Sequence, residues 1–141
     1  MKKTVLITGG SSGIGYELSR LFARDHYRLL WVSKPPEELA QAEEKIQQEE
    51  NKPEVHSLAI DLSRPTAARE VLEWTRDKEW EVDVLVNNAG FGSYGFFPEN
   101  SLEKERTMVA LNVQNVFVMT HLFLKDMIKR KKGLIINVAS S

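Results

Sequence analysis

The sequence predicts an α/β fold in which helices cover both faces of a parallel sheet, a doubly wound arrangement. Two observations carry this prediction. Short apolar runs alternate with stretches of helical periodicity along the whole chain. The clearest runs are continuously apolar rather than alternating, as strands covered on both faces require. Taken in order, Val5-Leu6-Ile7 is the first strand, and Ile14, Leu18, Leu21 and Phe22 mark one face of the first helix. Leu29-Leu30-Trp31-Val32 is the second strand. Pro35-Pro36 opens a second helix, where proline is tolerated, with Leu39, Ala42 and Ile46 on one face. Residues 55–60 form a third strand, and residues 65–78 a third helix that turns Val71, Leu72 and Thr75 towards the sheet. A fourth strand over 82–86 leads through a glycine-rich loop, 90–95, into a long helical region over 101–131. Residues 134–138 are the fifth strand. Residues 1–141 read as a single domain without repeats or linkers. In such sheets ligands bind just past the C-terminal ends of the strands. A chain that stops at Ser140-Ser141 is therefore expected to be incomplete there, truncated after its fifth strand.

Composition narrows the function. The 141 residues are 42% hydrophobic and 28% charged, an ordinary globular balance. With 19 Lys+Arg against 20 Asp+Glu, the formal net charge is -1, which argues against broad electrostatic binding to nucleic acid or anionic lipid. No continuous apolar run reaches the ~18 residues of a membrane span, so neither a membrane nor nucleic acid is expected as a partner. The basic, then apolar start stops at Thr8-Gly9-Gly10 and reads as a buried strand rather than a signal segment. The absence of cysteine excludes disulfides, thiolate metal sites and a cysteine nucleophile, and suits a cytoplasmic protein. His26, His56 and His121 are too scattered for a metal site. Trp31, Trp74 and Trp80 read as packing residues.

The turn after the first strand, Thr8-Gly9-Gly10-Ser11-Ser12-Gly13-Ile14-Gly15, is the main chemical signal. Glycines there let backbone N–H groups approach an anion at a helix N-terminus. A P-loop is excluded, because Tyr16 stands where its lysine must be. The strict Gly-x-Gly-x-x-Gly pattern is not met either. A turn that merely needs flexible residues is the competing reading, and the position directly after the first strand weighs against it.

Thr8-Gly9-x-x-x-Gly13-Ile14-Gly15 resembles the cofactor loop of the short-chain dehydrogenase/reductase family, and Asn87-Asn88-Ala89-Gly90 matches that family's second signature. The resemblance covers the whole chain. It implies a Rossmann-type domain that binds a nicotinamide dinucleotide through Gly9, Ser11, Ser12, Gly13, Ile14 and Gly15. It also implies that Asp61 contacts the adenine amino group, that the Leu62 backbone contacts the ring, and that Asn88, Ala89 and Gly90 line the nicotinamide ribose. The competing role for Asp61 is a helix N-cap, for which Ser63 is the better candidate. Asn87 reads as a tie between adjacent strands.

The choice of dinucleotide follows from charge. The residue ending the second strand, about 20 positions past the loop, meets the adenosine ribose. An acidic residue there accepts from a 2′-hydroxyl, whereas a basic one neutralises a 2′-phosphate. Here the position holds Ser33-Lys34, and no Asp or Glu occurs between Asp25 and Glu37. The expected cofactor is therefore NADP(H), with NAD(H) the weaker fit; the competing reading makes Lys34 a solvated loop charge.

Catalysis in the resembled family uses Asn, Ser, Tyr and Lys. Asn112 matches the helix asparagine that holds a water for proton relay, the alternative being a buried amide satisfied by backbone. Ser140 matches the serine that hydrogen-bonds the substrate carbonyl. The Tyr-x-x-x-Lys pair is absent: four residues after Tyr16, Tyr27 and Tyr94 stand Arg20, Trp31 and Pro98. Removing a general acid typically costs ~10²–10⁴-fold in rate, so this stretch alone is expected to be inactive. The resemblance implies hydride transfer between nicotinamide and a small carbonyl or alcohol substrate bordered by residues 91–98. A non-catalytic dinucleotide-binding or regulatory module is the alternative, and a scaffold kept for partner binding a third. The 101–131 region is more apolar than one buried face needs (Val113, Val116, Phe117, Leu122 and Leu124 among others); the resemblance implies a homo-oligomer surface there, and the alternative is a face covered by elements that a truncated chain lacks. The basic run at 129–132 reads as a solvated helix end.

Overall fold

The computed structural model of the chain describes residues 2–90 and 101–139. Five strands, β1 (Thr4–Thr8), β2 (Arg28–Ser33), β3 (Val55–Ala59), β4 (Val84–Asn87) and β5 (Leu134–Asn137), form one sheet in the order β3-β2-β1-β4-β5. Every pairing is parallel. The chain winds outwards from β1 to β3, returns, and continues on the other side through β4 and β5. The order therefore reverses between β1 and β4, and a crevice at their C-terminal ends is where such sheets take ligands.

Alternation along the strands separates the core into two layers. Val5, Ile7, Leu29, Trp31, Val84 and Val86 pack with Leu39, Ala42 and Ile46 of α2 (Pro36–Ile46) and with Tyr16 and Ala23 of α1 (Gly13–Arg24). Leu6, Leu30, Val32 and Leu85 face the other way, onto Val71 and Leu72 of α3 (Ala67–Asp77) and Met119, Phe123 and Met127 of α5 (Asn115–Arg130). The central strands are apolar throughout because both of their faces are covered. β3 and β5, each with one neighbour, are only partly buried.

Several expectations shift. The third helix starts at Ala67, and neither Asp61 nor Ser63 caps it; Thr66 occupies the N-cap position without a side-chain capping bond, its hydroxyl donating instead to Glu70 at 2.8 Å. The single helix expected over 101–131 divides into α4 (Leu102–Val109), a π-helical stretch Ala110–Gln114, and α5. Ser101 caps α4 by accepting from the Lys104 backbone N–H at 3.1 Å. The basic run at 129–132 is not uniformly solvated, because Arg130 folds back and donates to the Val82 carbonyl at 2.7 Å.

The long helical run is also more apolar than the absence of an uninterrupted apolar stretch suggests. The 29-residue run 102–130 contains an 18-residue window of mean hydropathy 1.4, long and apolar enough to cross a membrane by length and composition. The sequence argument counted uninterrupted apolar residues. Asn112, Gln114, Asn115, Thr120 and His121 interrupt this run without adding formal charge. Within it, Met119, Phe123 and Met127 are buried against the sheet layer, while Leu102, Val113, Phe117 and Ile128 are exposed.

At the far edge of the sheet, Glu54 accepts from Arg28 (2.6 Å) and Lys2 (3.2 Å) and pairs with His56 (2.8 Å). Burial works against its ionisation, but these hydrogen bonds outweigh it and hold its pKa down at about 2. A lowered carboxylate pKa stabilises the fold above the unfolded value of about 4.3, and the gain is lost as pH falls towards the folded value. The unfolding midpoint is therefore expected to drop between about pH 4.5 and pH 2, and Glu54→Gln to flatten that drop. An unchanged pH profile in the variant would remove Glu54 from the account.

Candidate dinucleotide site

The glycine turn is built by two different demands on its glycines. Gly9 (φ +66°) and Gly13 (φ +54°) take left-handed backbone conformations that side chains disfavour. Gly10 and Gly15 are glycines for room. A Cβ on Gly10 would lie 2.1 Å from Trp31 Cδ1, and one on Gly15 would lie 2.2 Å from the Gly9 carbonyl oxygen. A Cβ on Gly13 would meet nothing within 4 Å, so the backbone there is open to an approaching group. Ser12, at the N-cap of α1, makes no side-chain capping bond, and the first turn of the helix carries no acidic residue. The first N–H groups of a helix lack intrahelical acceptors and favour an anion. This cradle fits a pyrophosphate.

The turn is fastened to β4. Thr8 Oγ1 accepts from the backbone N–H groups of Asn88 and Ala89, both at 2.8 Å. The Asn88 side-chain amide donates to the Gly9 carbonyl at 3.1 Å. Sequence reasoning noted Thr8 only as a flanking residue. The available signal was a hydroxyl at the end of a central strand, beside glycines that leave it room. Asn87 does tie strands together: its amide donates to Asn137 Oδ1 (2.9 Å) on β5 and to Thr120 Oγ1 (3.2 Å) on α5.

A cleft of about 410 Å³ opens past these strand ends. It gathers Gly9, Ser12, Ser33, Lys34, Asp61, Leu62, Asn88, Ala89 and Gly90 from the sequence-based set, together with Ile60, Ser63, Thr107 and Leu111. Thr107 and Leu111 were missed, although their i, i+4 spacing puts them on the same helical flank just before Asn112. Ser11, Gly13, Ile14 and Gly15 do not line this cleft. Ser11, Gly13 and Ile14 open onto a neighbouring groove between α1 and α2, and Ser11 donates its hydroxyl to Glu38 at 3.1 Å.

At the β2 end of the cleft, the Lys34 ammonium stands 3.8 Å from Asp61 Oδ2 and is largely exposed. Asp61 Oδ1 accepts from the Ser63 hydroxyl (2.6 Å) and the Ser63 backbone N–H (3.0 Å). Those two bonds hold the Asp61 carboxyl below its ordinary range, against burial and with help from Lys34. Asp61 is thus an ionised acceptor whose second oxygen faces Lys34.

At the other end, Asn112 lies in the π-helical stretch and is exposed. A Cβ on Gly90 would fall 2.5 Å from Asn112 Oδ1, which places that amide directly against the Asn88-Ala89-Gly90 segment. Single π-helical turns inside α-helices are frequent at functional sites. Ser140 and residues 91–98 lie outside the described residues. No cluster of three or more metal-ligating side chains occurs among the described residues.

Known proteins are similar to this chain in sequence and fold. The family profile for short chain dehydrogenases matches residues 3–141. Serine 3-dehydrogenase of Agrobacterium fabrum is 30% identical over 141 residues, which cover 99% of this chain and 54% of that protein. The crystal structure of L-sorbose reductase from Gluconobacter frateurii, complexed with NADPH and L-sorbose, superposes with a TM-score of 0.89 at 30% identity, over 99% of this chain and 52% of that one. A short-chain dehydrogenase from Sphingobium yanoikuyae in complex with NADPH gives 0.88 at 29% identity, over 98% and 53%. The chain therefore spans about half the length of the relatives it matches. With the profile matched almost end to end and the two signature segments bonded to each other through Thr8 and Asn88, the chain belongs to the short-chain dehydrogenase family.

Proposed function

We propose that this chain forms the NADP(H)-binding part of an oxidoreductase acting on a small carbonyl or alcohol substrate. The observation that carries the choice of dinucleotide is the β2 end of the cleft. There Ser33 and the Lys34 ammonium occupy the place where a carboxylate would receive a ribose 2′-hydroxyl. Solved relatives complexed with NADPH or NADP support the reading. The bound dinucleotide would supply or accept the hydride. The chain's own residues would do the rest. The Gly9–Gly15 turn would hold the pyrophosphate, Lys34 and Ser33 the 2′-phosphate, Asp61 and the Leu62 backbone the adenine, and the 88–90 segment the nicotinamide ribose. Asn112 would hold a water at the nicotinamide end, and Ser140 would bind the substrate oxygen. The 141 residues contain no Tyr-x-x-x-Lys pair, so by themselves they bind the cofactor without supplying a proton donor.

Dissociation constants for NADPH and NADH test the assignment. One charge-assisted contact to the phosphate, worth about 1.5–3 kcal/mol, makes NADPH tighter by about tenfold or more. Lys34→Ala should remove most of that preference while leaving NADH affinity nearly unchanged. Equal constants for the two dinucleotides in the unmodified protein would refute it.

A further inference from the structure

We infer that Trp31 and Ser19 are positioning residues for the dinucleotide, acting through the glycine turn; the inference rests on the pyrophosphate reading above. Trp31 is central in β2 and wholly buried beneath the turn. Its indole edge occupies the space a Gly10 side chain would need, with Cδ1, Nε1 and Cγ at 2.1, 2.6 and 2.8 Å from a Cβ placed there. The indole N–H donates to Ser19 Oγ at 2.8 Å, and the Ser19 hydroxyl donates to the Gly15 carbonyl at 2.7 Å. Ser19 is also wholly buried. The direction of this chain is fixed, because an indole nitrogen only donates and the serine has a single proton to give.

The relay therefore grips the turn at both ends. Gly10, at its entry, lies against the pyrrole edge of the indole. Gly15, at its exit, is held through Ser19 and lies close against the Gly9 carbonyl. Gly9 in turn donates its N–H to the carbonyl of Val32, the neighbour of Trp31, at 2.8 Å. Between these grips lie Ser11, Ser12, Gly13 and Ile14, where α1 begins and its first N–H groups would meet the pyrophosphate. A serine hydroxyl bonded back to the i−4 carbonyl weakens a helix slightly. Here that bond completes a buried path from β2 to the phosphate-binding turn. Sequence reasoning treated Trp31 as packing alone, and its hydrogen bond gives it a second role.

The test uses the full-length protein and two ligands, NADPH and 2′-AMP; the latter carries adenine, ribose and 2′-phosphate but no pyrophosphate. Trp31→Phe and Ser19→Ala each interrupt the relay while keeping most of the packing. Each is expected to weaken NADPH about fivefold, the value of one lost hydrogen bond, with 2′-AMP unchanged. The double variant is expected to be no weaker than the worse single one, because both break one path. A general loosening of the fold would weaken both ligands together, and that result overturns the inference. Additive losses in the double variant also overturn it, since they mean two independent supports. An unmodified protein that binds both ligands, with variants that bind NADPH equally well, overturns the relay alone. An unmodified protein that binds neither overturns the dinucleotide site and the relay with it.

Discussion

Gly15→Ala is expected to weaken NADPH binding by about 30- to 100-fold. The added Cβ would sit 2.2 Å from the Gly9 carbonyl oxygen and 2.5 Å from the Asn88 side-chain nitrogen. Neither neighbour is free to retreat. Gly9 is bonded through its N–H to Val32 and through its carbonyl to Asn88, and Asn88 is fastened by its own N–H to Thr8. The methyl therefore displaces α1 from β1, opening the turn that meets the phosphates. Forcing a methyl into packed backbone typically costs about 1–3 kcal/mol, so the unfolding midpoint falls as well. Gly13→Ala is the informative control. Its Cβ meets nothing within 4 Å, and only its positive φ of +54° opposes the change; left-handed backbone costs a non-glycine residue about 1–2 kcal/mol. That variant should lose some stability without a comparable opening of the turn. Calorimetric titration of both variants separates the two glycine roles. A Gly15→Ala protein that binds NADPH within about threefold of the unmodified protein contradicts this account of the turn.

The contrast between these glycines shows what the sequence could carry. Spacing after the first strand was enough to locate the turn, because a strand, an anion cradle and a helix start need small residues in a fixed order. Spacing could not say that Gly10 answers to Trp31 and Gly15 to Gly9 and Asn88. Those partners are assembled only by the parallel pairing of β1 with β2 and β4. The same holds for Thr8, whose two accepted bonds come from a segment about 80 residues away. The layers of the core were legible because Val5, Ile7 and Leu6 must alternate across a sheet covered on both faces. The third helix was read two residues early, since Pro65 is as acceptable before a helix as inside its first turn. The π-helical stretch was invisible to apolar periodicity. It inserts a residue without interrupting the helix, and the apolar pattern on either side stays helical.

That stretch sets up the second large expectation. Asn112→Ala in the full-length protein should lower kcat by about 10²-fold or more, the usual value of a disrupted proton-transfer group, while NADPH affinity stays within about twofold. Asn112 is exposed, and its amide oxygen is pressed towards the Gly90 backbone. Asparagine is a poor helix former, and a wide π-helical turn is an uncommon conformation for any sequence. Within the π-helical stretch Leu111 packs partly against the core, whereas Asn112 itself is exposed. A group placed this way adds little to stability; exposed substitutions usually shift it by less than about 0.5 kcal/mol in either direction. The combination is what discriminates. A water-holding amide at the nicotinamide end predicts a fall in kcat with an unmoved unfolding midpoint and an unmoved dissociation constant. A residue that merely shapes the helix predicts the reverse: a lowered midpoint, a weaker hold on NADPH, and a kcat that recovers once cofactor is saturating. Asn112→Asp sharpens the distinction, because it keeps the shape of the side chain but replaces the amide with a carboxylate, which has two acceptor oxygens, a negative charge and no proton to donate. A loss of rate in this variant as well would locate the function in the neutral, proton-donating amide rather than in the contour of the turn.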